Sequence, residues 1–86
     1  MRAGWDKTAA EKFEQMVAKV PVFLRATAEK KISQKAESIA KNAGRQVTEG
    51  DMVEAFFAET PFGFHGPMKS DMQELGIDYA KYGYEK

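Results

Sequence analysis

The chemistry open to this chain is set by one histidine, thirteen carboxylates and thirteen basic side chains, with no cysteine. Without thiols there is no disulfide, no Cys-ligated zinc and no Cys-held iron–sulfur cluster. His65 is the single imidazole, which excludes a two-histidine metal site and a Cys–His dyad. Gly63-Phe64-His65-Gly66 carries glycines but neither the lysine nor the spacing of a phosphate-binding loop. The carboxylate pairs Glu11/Glu14 and Asp51/Glu54 fall on surfaces of amphipathic helices and need no acid–base role. No catalytic residue, metal ligand or cofactor is therefore expected, and the chain reads as a module without activity of its own. Two sets of residues suit binding instead. Arg25 carries a planar fork matched to a carboxylate on a ligand or partner, or else pairs with Glu29 one turn on while its stem covers apolar surface. Phe57, Phe62 and Phe64 with His65 lie in an aromatic, Met-rich second half that suits a flat apolar ligand or a partner.

The elements that must position these residues are helical. The longest, predicted over about 21–43, starts at Pro21, whose missing N–H costs nothing in a first turn. It ends at Lys41-Asn42-Ala43-Gly44, with the glycine free to take a left-handed conformation. Leu24, Ala28, Ile32, Ala36, Ile39, Ala40 and Ala43 share one face of it, with Lys30, Gln34, Glu37 and Lys41 opposite. A first helix over about 8–19 is signalled by Thr8-Ala9-Ala10-Glu11 at capping-box spacing, then Phe13, Met16, Val17 and Val20. Trp5 precedes it as a lid whose indole N–H needs an acceptor. A third helix, about 49–59, opens on Thr48-Glu49-Gly50-Asp51 and stops at Thr60-Pro61. Phe56 and Phe57 are adjacent and cannot share a face, so one belongs in the core and the other against the C-terminal segment or a partner. A short helix, about 67–75, follows an aromatic loop and is opened by Pro67 and closed by Gly76. The fold class is thus an all-α small bundle of three main helices plus a short C-terminal one. Its division is 1–60 for the helical domain and 61–86 for the loop, short helix and tyrosine-rich tail packed on it. Phe13, Met16, Val17, Leu24, Ile32, Ile39, Val53 and Phe56 are the predicted core.

With 86 residues the chain makes one domain. No apolar run reaches the roughly 20 residues of a membrane span, and Met1 to Asp6 has no apolar signal-like stretch. The cytoplasm is the expected compartment. Formal charge is zero overall but uneven. Residues 25–45 hold six basic against two acidic side chains, a net of +4, and residues 46–86 hold three against eight, a net of −5. A sequence pI near 6.6 argues against a nucleic-acid module, for which a domain above about 9 is usual.

Trp5, Ala10, Val20-Pro21-Val22-Phe23-Leu24-Arg25, Ala40, Gly44, Val47-Thr48-Glu49 and Ala55 together resemble the small PCP reductase (PCP_red) domain. That domain is known best as the C-terminal part of light-independent protochlorophyllide reductase. The resemblance covers roughly residues 5–58 and implies a small helical bundle linked to oxidoreductase chemistry in chlorophyll biosynthesis, with the catalytic body lying elsewhere. Residues 62–86 have no counterpart in that pattern. A weaker similarity, through Gly44-Arg45-Gln46-Val47-Thr48-Glu49-Gly50-Asp51 and the long central helix, is to the layout of the histone fold, which dimerises. The expectation from the PCP reductase resemblance and the aromatic, Met-rich second half is a non-catalytic accessory or interaction module that binds a protein partner or a tetrapyrrole-like ligand. The histone-like layout leaves a homodimer or nucleic-acid binding as the alternative.

Overall fold

A computed structural model describes residues 2–84. Among them the architecture is all-α: α1 (Lys7–Ala18), α2 (Val22–Ala43), α3 (Glu49–Glu59) and α4 (His65–Glu74), with 3-10 turns at Phe62–Phe64 and Tyr79–Tyr82. The local chemistry of the helix ends accounts for these limits. At α1 the cap is Asp6, whose carboxylate accepts from the Ala9 N–H at 3.2 Å. The capping box expected at Thr8 does not form, because the helix has already begun one residue before it. Pro21 caps α2 from just outside, and Gly44 ends it at φ 70°. The Gly44 and Arg45 N–H groups return to Lys41 and Ala40 carbonyls there, so the last turn is satisfied internally. Thr48 and Asp51 make the expected reciprocal box at the start of α3. α4 begins at His65, two residues earlier than predicted, with Pro67 still in the first turn, where a missing N–H has no partner to lose. It closes at Gly76 (φ 75°), with Ile77 N–H on the Met72 carbonyl at 2.8 Å.

The core is a run of rings braced by methionines and small residues. Trp5 lies 4.9 Å from Phe13, and Phe13 lies 5.9 Å from Phe56. Met16, Val17, Met52, Val53, Ala55, Met68, Met72, Ile77 and Tyr79 are buried around them. α2 contributes only Ile32, Ser33, Ala36 and Ala40 as buried residues, so α3 can approach its backbone closely. Residues beyond Pro61 supply Met68, Met72, Ile77 and Tyr79 to the same cluster that holds Trp5 and Phe13. Residues 85 and 86 of the predicted tail lie outside the described residues.

Two members of the predicted core are elsewhere. Leu24 is exposed and Ile39 is half-buried. At about 1.5 Å per residue, α3 is about 16 Å long and α2 about 33 Å. A five-residue connection turns α3 back along the C-terminal part of α2, and α3 ends before it reaches the first turns. No residue of α2 before Ile32 is buried. Ile39 sits at the rim of the stripe that Ile32, Ala36 and Ala40 define.

Gly4–Asp6 and Tyr82 are both fastened to residues 47–50. Asp6 N–H donates to the Val47 carbonyl and Val47 N–H to that of Gly4, both at 2.8 Å, forming an isolated parallel bridge between Trp5 and Val47. The Trp5 indole N–H finds its acceptor in Glu37 Oε2 at 2.8 Å. From the other side, the Tyr82 hydroxyl donates to Glu49 Oε1 at 2.6 Å. Its ring lies so close to Gly50 that a Cβ there would come within 3.0 Å of it. Burial and the Glu49 carboxylate push the Tyr82 hydroxyl up to about 12.

This packing separates two residues that periodicity treats alike. Phe13→Ala should cost about 3–5 kcal/mol, whereas Leu24→Ala should change stability by less than about 0.5 kcal/mol. Urea denaturation with an unchanged m-value would measure both. Equal losses would mean that the first turn of α2 is buried after all.

Candidate functional site

Residues 19–21 turn the chain from α1 into α2, and Arg25 holds that corner. Its Nε donates to the Val20 carbonyl and its Nη2 to the Ala18 carbonyl, each at 2.7 Å. The last carbonyls of a helix have no partner within it and form the negative end of its dipole. Arg25 stands at the start of α2, where a cation is disfavoured, but it reaches back to the end of α1, where a cation is favoured. The bridge to Glu29 expected from the sequence is not made; Glu29 pairs with Arg2. Arg2 also contacts Glu14 Oε2 at 3.2 Å and lies over the Phe13 ring at 4.7 Å.

Beside this corner stands an apolar turn. Val22 is 74% exposed, Phe23 84% and Leu24 45%. Sequence reasoning missed Val22 and Phe23 as surface residues, although a signal existed. Three consecutive residues of a helix span about 200° and cannot all face one core.

The aromatic candidates are partly brought together. Phe57 stacks flat on Tyr84 (4.2 Å, 6°) and meets the His65 ring edge-on (5.1 Å, 81°), so it takes the place against the C-terminal segment that Phe56 leaves open. Phe62 lies 5.5 Å from His65. His65 donates from Nε2 to the Thr60 carbonyl at 2.8 Å, which ties the loop to the end of α3 and fixes the proton on Nε2. Phe62 and Phe64 are 87% and 64% exposed. Arg25 is not part of this cluster, since its hydrogen bonds go to the corner. Two open surface depressions, one lined by Gln73 and Gly76–Ala80 and the other by Arg2, Lys7, Ala10, Glu11 and Glu14, include none of the five candidates. Among the described residues no group of three His, Asp or Glu side chains is placed to hold a metal ion.

The connector before α3 carries a buried carboxylate. Asp51 accepts from Arg45 Nη2 at 2.9 Å, from Arg45 Nη1 and from the Thr48 N–H at 2.9 Å. Burial alone would push its carboxyl up, but the hydrogen bonds from Arg45 and Thr48, with the Arg45 charge, hold it below the usual range.

These contacts generate two expectations. Arg25→Met removes two charge-assisted hydrogen bonds to carbonyls that water can partly reach, and should cost about 1–2 kcal/mol in denaturant titrations; no loss would mean that the corner does not depend on them. For Asp51 the folded-state pKa is depressed, so its stabilisation is full above the unfolded value of about 3.9 and is lost as pH falls through the folded value. Thermal melts should thus show the wild type losing stability below about pH 3.9, and Asp51→Asn should be less stable at neutral pH but flatter across the acid range. Parallel acid profiles for the two proteins would remove Asp51 as a source of the dependence.

The comparisons with known proteins correct the resemblance drawn from the motif residues. A family model described as "Protein of unknown function (DUF2621)" matches residues 1–85, and the PCP reductase family does not match. The match runs through the segment after Phe62 that the PCP reductase pattern left without a counterpart. The reason for the misassignment is physical. Trp5 is a buried ring, Pro21 a cap, Arg25 a corner clamp, Gly44 a left-handed stop and Thr48 a capping hydroxyl. Such residues report how short helices are joined, and unrelated small bundles can share them. The oxidoreductase and chlorophyll-synthesis associations fall with that resemblance. No curated protein and no solved structure matches the chain. With the model spanning all but its last residue, this chain belongs to the DUF2621 family.

Proposed function

We propose that this chain is a non-catalytic protein-interaction module that docks its partner on the first turn of α2. The observation that carries the reading is the exposure of Val22, Phe23 and Leu24 together on a turn that the core does not reach, next to a corner held by Arg25. Large apolar side chains grouped on a surface favour association, because covering them removes apolar area from water. A rigid corner adds to this, since little conformational entropy remains to be lost on binding. Three of the polar side chains that could do chemistry have structural partners. His65 is engaged with Thr60, Asp51 with Arg45, and Glu49 with Tyr82. A tetrapyrrole-like ligand rests on the PCP reductase resemblance, which does not hold, and on the aromatic second half, where Phe57 and His65 are already engaged with Tyr84 and Thr60. Phe62 and Phe64 form a second exposed apolar group, but half-buried Phe57 already has Tyr84 across one ring face.

The test is to use the tagged full chain and its Phe23→Ser variant as baits in cells of its source, with matched thermal melts as the folding control. Proteins retained by the wild type and lost by the variant are the expected result. The same set retained by both would overturn the reading.

A further inference from the structure

The segment from Tyr79 to Tyr84 lies against α3. Tyr79 is buried and its hydroxyl accepts from Gln73 Nε2 at 3.0 Å, so it belongs to the core. Beyond it Ala80, Lys81 and Gly83 are exposed, and only the half-buried rings of Tyr82 and Tyr84 pack on the bundle. The Tyr82 ring lies on Gly50, where no Cβ stands in its way, and the Tyr84 ring stacks on Phe57. Gly50 and Phe57 are seven residues apart on one side of α3, so the two rings lie along a stripe about 10 Å long. The turn that aims them is closed by Gly83 N–H on the Ala80 carbonyl and Tyr84 N–H on that of Tyr79, with Gly83 at φ 95°. Among the described residues the only side-chain hydrogen bond that leaves Ala80–Tyr84 runs from Tyr82 to Glu49.

We propose that Ala80–Tyr84 is a strap that lifts off α3 as a unit while the bundle stays folded, and that its closed form masks Phe57; this stands independently of the α2 reading above. Segments near a terminus with exposed backbone and few ties open at a lower free energy than the core they rest on. The hinge is set by burial: Ile77 and Tyr79 are core residues and stay behind. Opening uncovers a particular surface. Phe62, His65, Phe57 and Tyr84 form a row of ring contacts, with Phe62 87% exposed at one end and Tyr84 at the other. With Tyr84 lifted, the row ends on the ring face of Phe57 that it had covered, and the apolar surface begun by Phe62 is extended. The strap is thus an autoinhibitory contact, in which the chain's own tyrosine occupies the face that an incoming aromatic ring would use.

The experiment is native-state hydrogen exchange of the full chain, read by NMR, with the Gly83→Ala and Tyr82→Phe variants. In the wild type the Gly83 and Tyr84 amides should exchange at least about tenfold faster than the buried Phe56 amide of α3. A side chain at residue 83 is strained only in the closed turn, so Gly83→Ala should raise the open population about tenfold. Tyr82→Phe, which removes the hydrogen bond to Glu49, should act in the same direction. In both variants the Phe57–Tyr84 ring contact should weaken, while the Trp5–Phe13 contact and the melting midpoint stay close to those of the wild type. Gly83→Ala should also bind more anilinonaphthalene sulfonate, and adding Phe57→Ala should remove that gain. Gly83 and Tyr84 amides that exchange only together with Phe56 overturn the proposal. So does a Gly83→Ala chain that is globally destabilised or unfolded, since the segment would then belong to the cooperative core. An unchanged dye signal in a chain whose strap has opened overturns the masking of Phe57.

Discussion

Burying Trp5 obliges the chain to find an acceptor for its indole N–H, and that acceptor, Glu37, lies 32 residues further on. Much of the bundle follows from this one contact. With the indole held against α2, the Gly4–Asp6 backbone lies along Val47 and the two exchange hydrogen bonds. α1 then starts directly after Asp6, which brings Phe13 under the indole and Phe56 under Phe13. An unpaired indole N–H in a core carries a desolvation cost comparable to a lost hydrogen bond, so the Glu37 carboxylate is part of the core although its own residue is exposed.

What is legible in the sequence is whatever is decided within a few residues. Gly44, Gly76 and the Thr48–Asp51 box can be read there because their partners lie within a turn. The positions where expectation and structure differ depend on contacts made at a distance or with the backbone. Thr8 has the spacing to Glu11 that a cap needs, but Asp6 reaches the Ala9 N–H first. Arg25 suggests a carboxylate partner, yet its acceptors are main-chain carbonyls, which carry no residue-type signal. Leu24 matches the apolar period, but period says nothing about how far α3 extends along α2. Of the aromatic residues named as a site, the contact of Phe57 with the C-terminal segment follows from its adjacency to Phe56. The clamp from His65 to the Thr60 carbonyl has no such local signal.

The unequal lengths of α2 and α3 have a further effect on how charge is displayed. At the C-terminal end of α2, Arg45 in the connector is held by Asp51 of α3. Along the whole of α2 the lysines have no carboxylate that pairs with them among the described residues. The chain is therefore neutral as a whole and polar from one side to the other.

Gly4–Asp6 and Tyr82 come together on a single short stretch. Gly4 and Asp6 bond to Val47 from one side, while Tyr82 reaches Glu49 and covers Gly50 from the other. That stretch lies at the C-terminal end of α2, about 33 Å of helix away from the Val22–Leu24 turn. The N-terminal flank runs back from there along α2, where Arg2 pairs with Glu29, while Tyr82 stays at the C-terminal end of that helix.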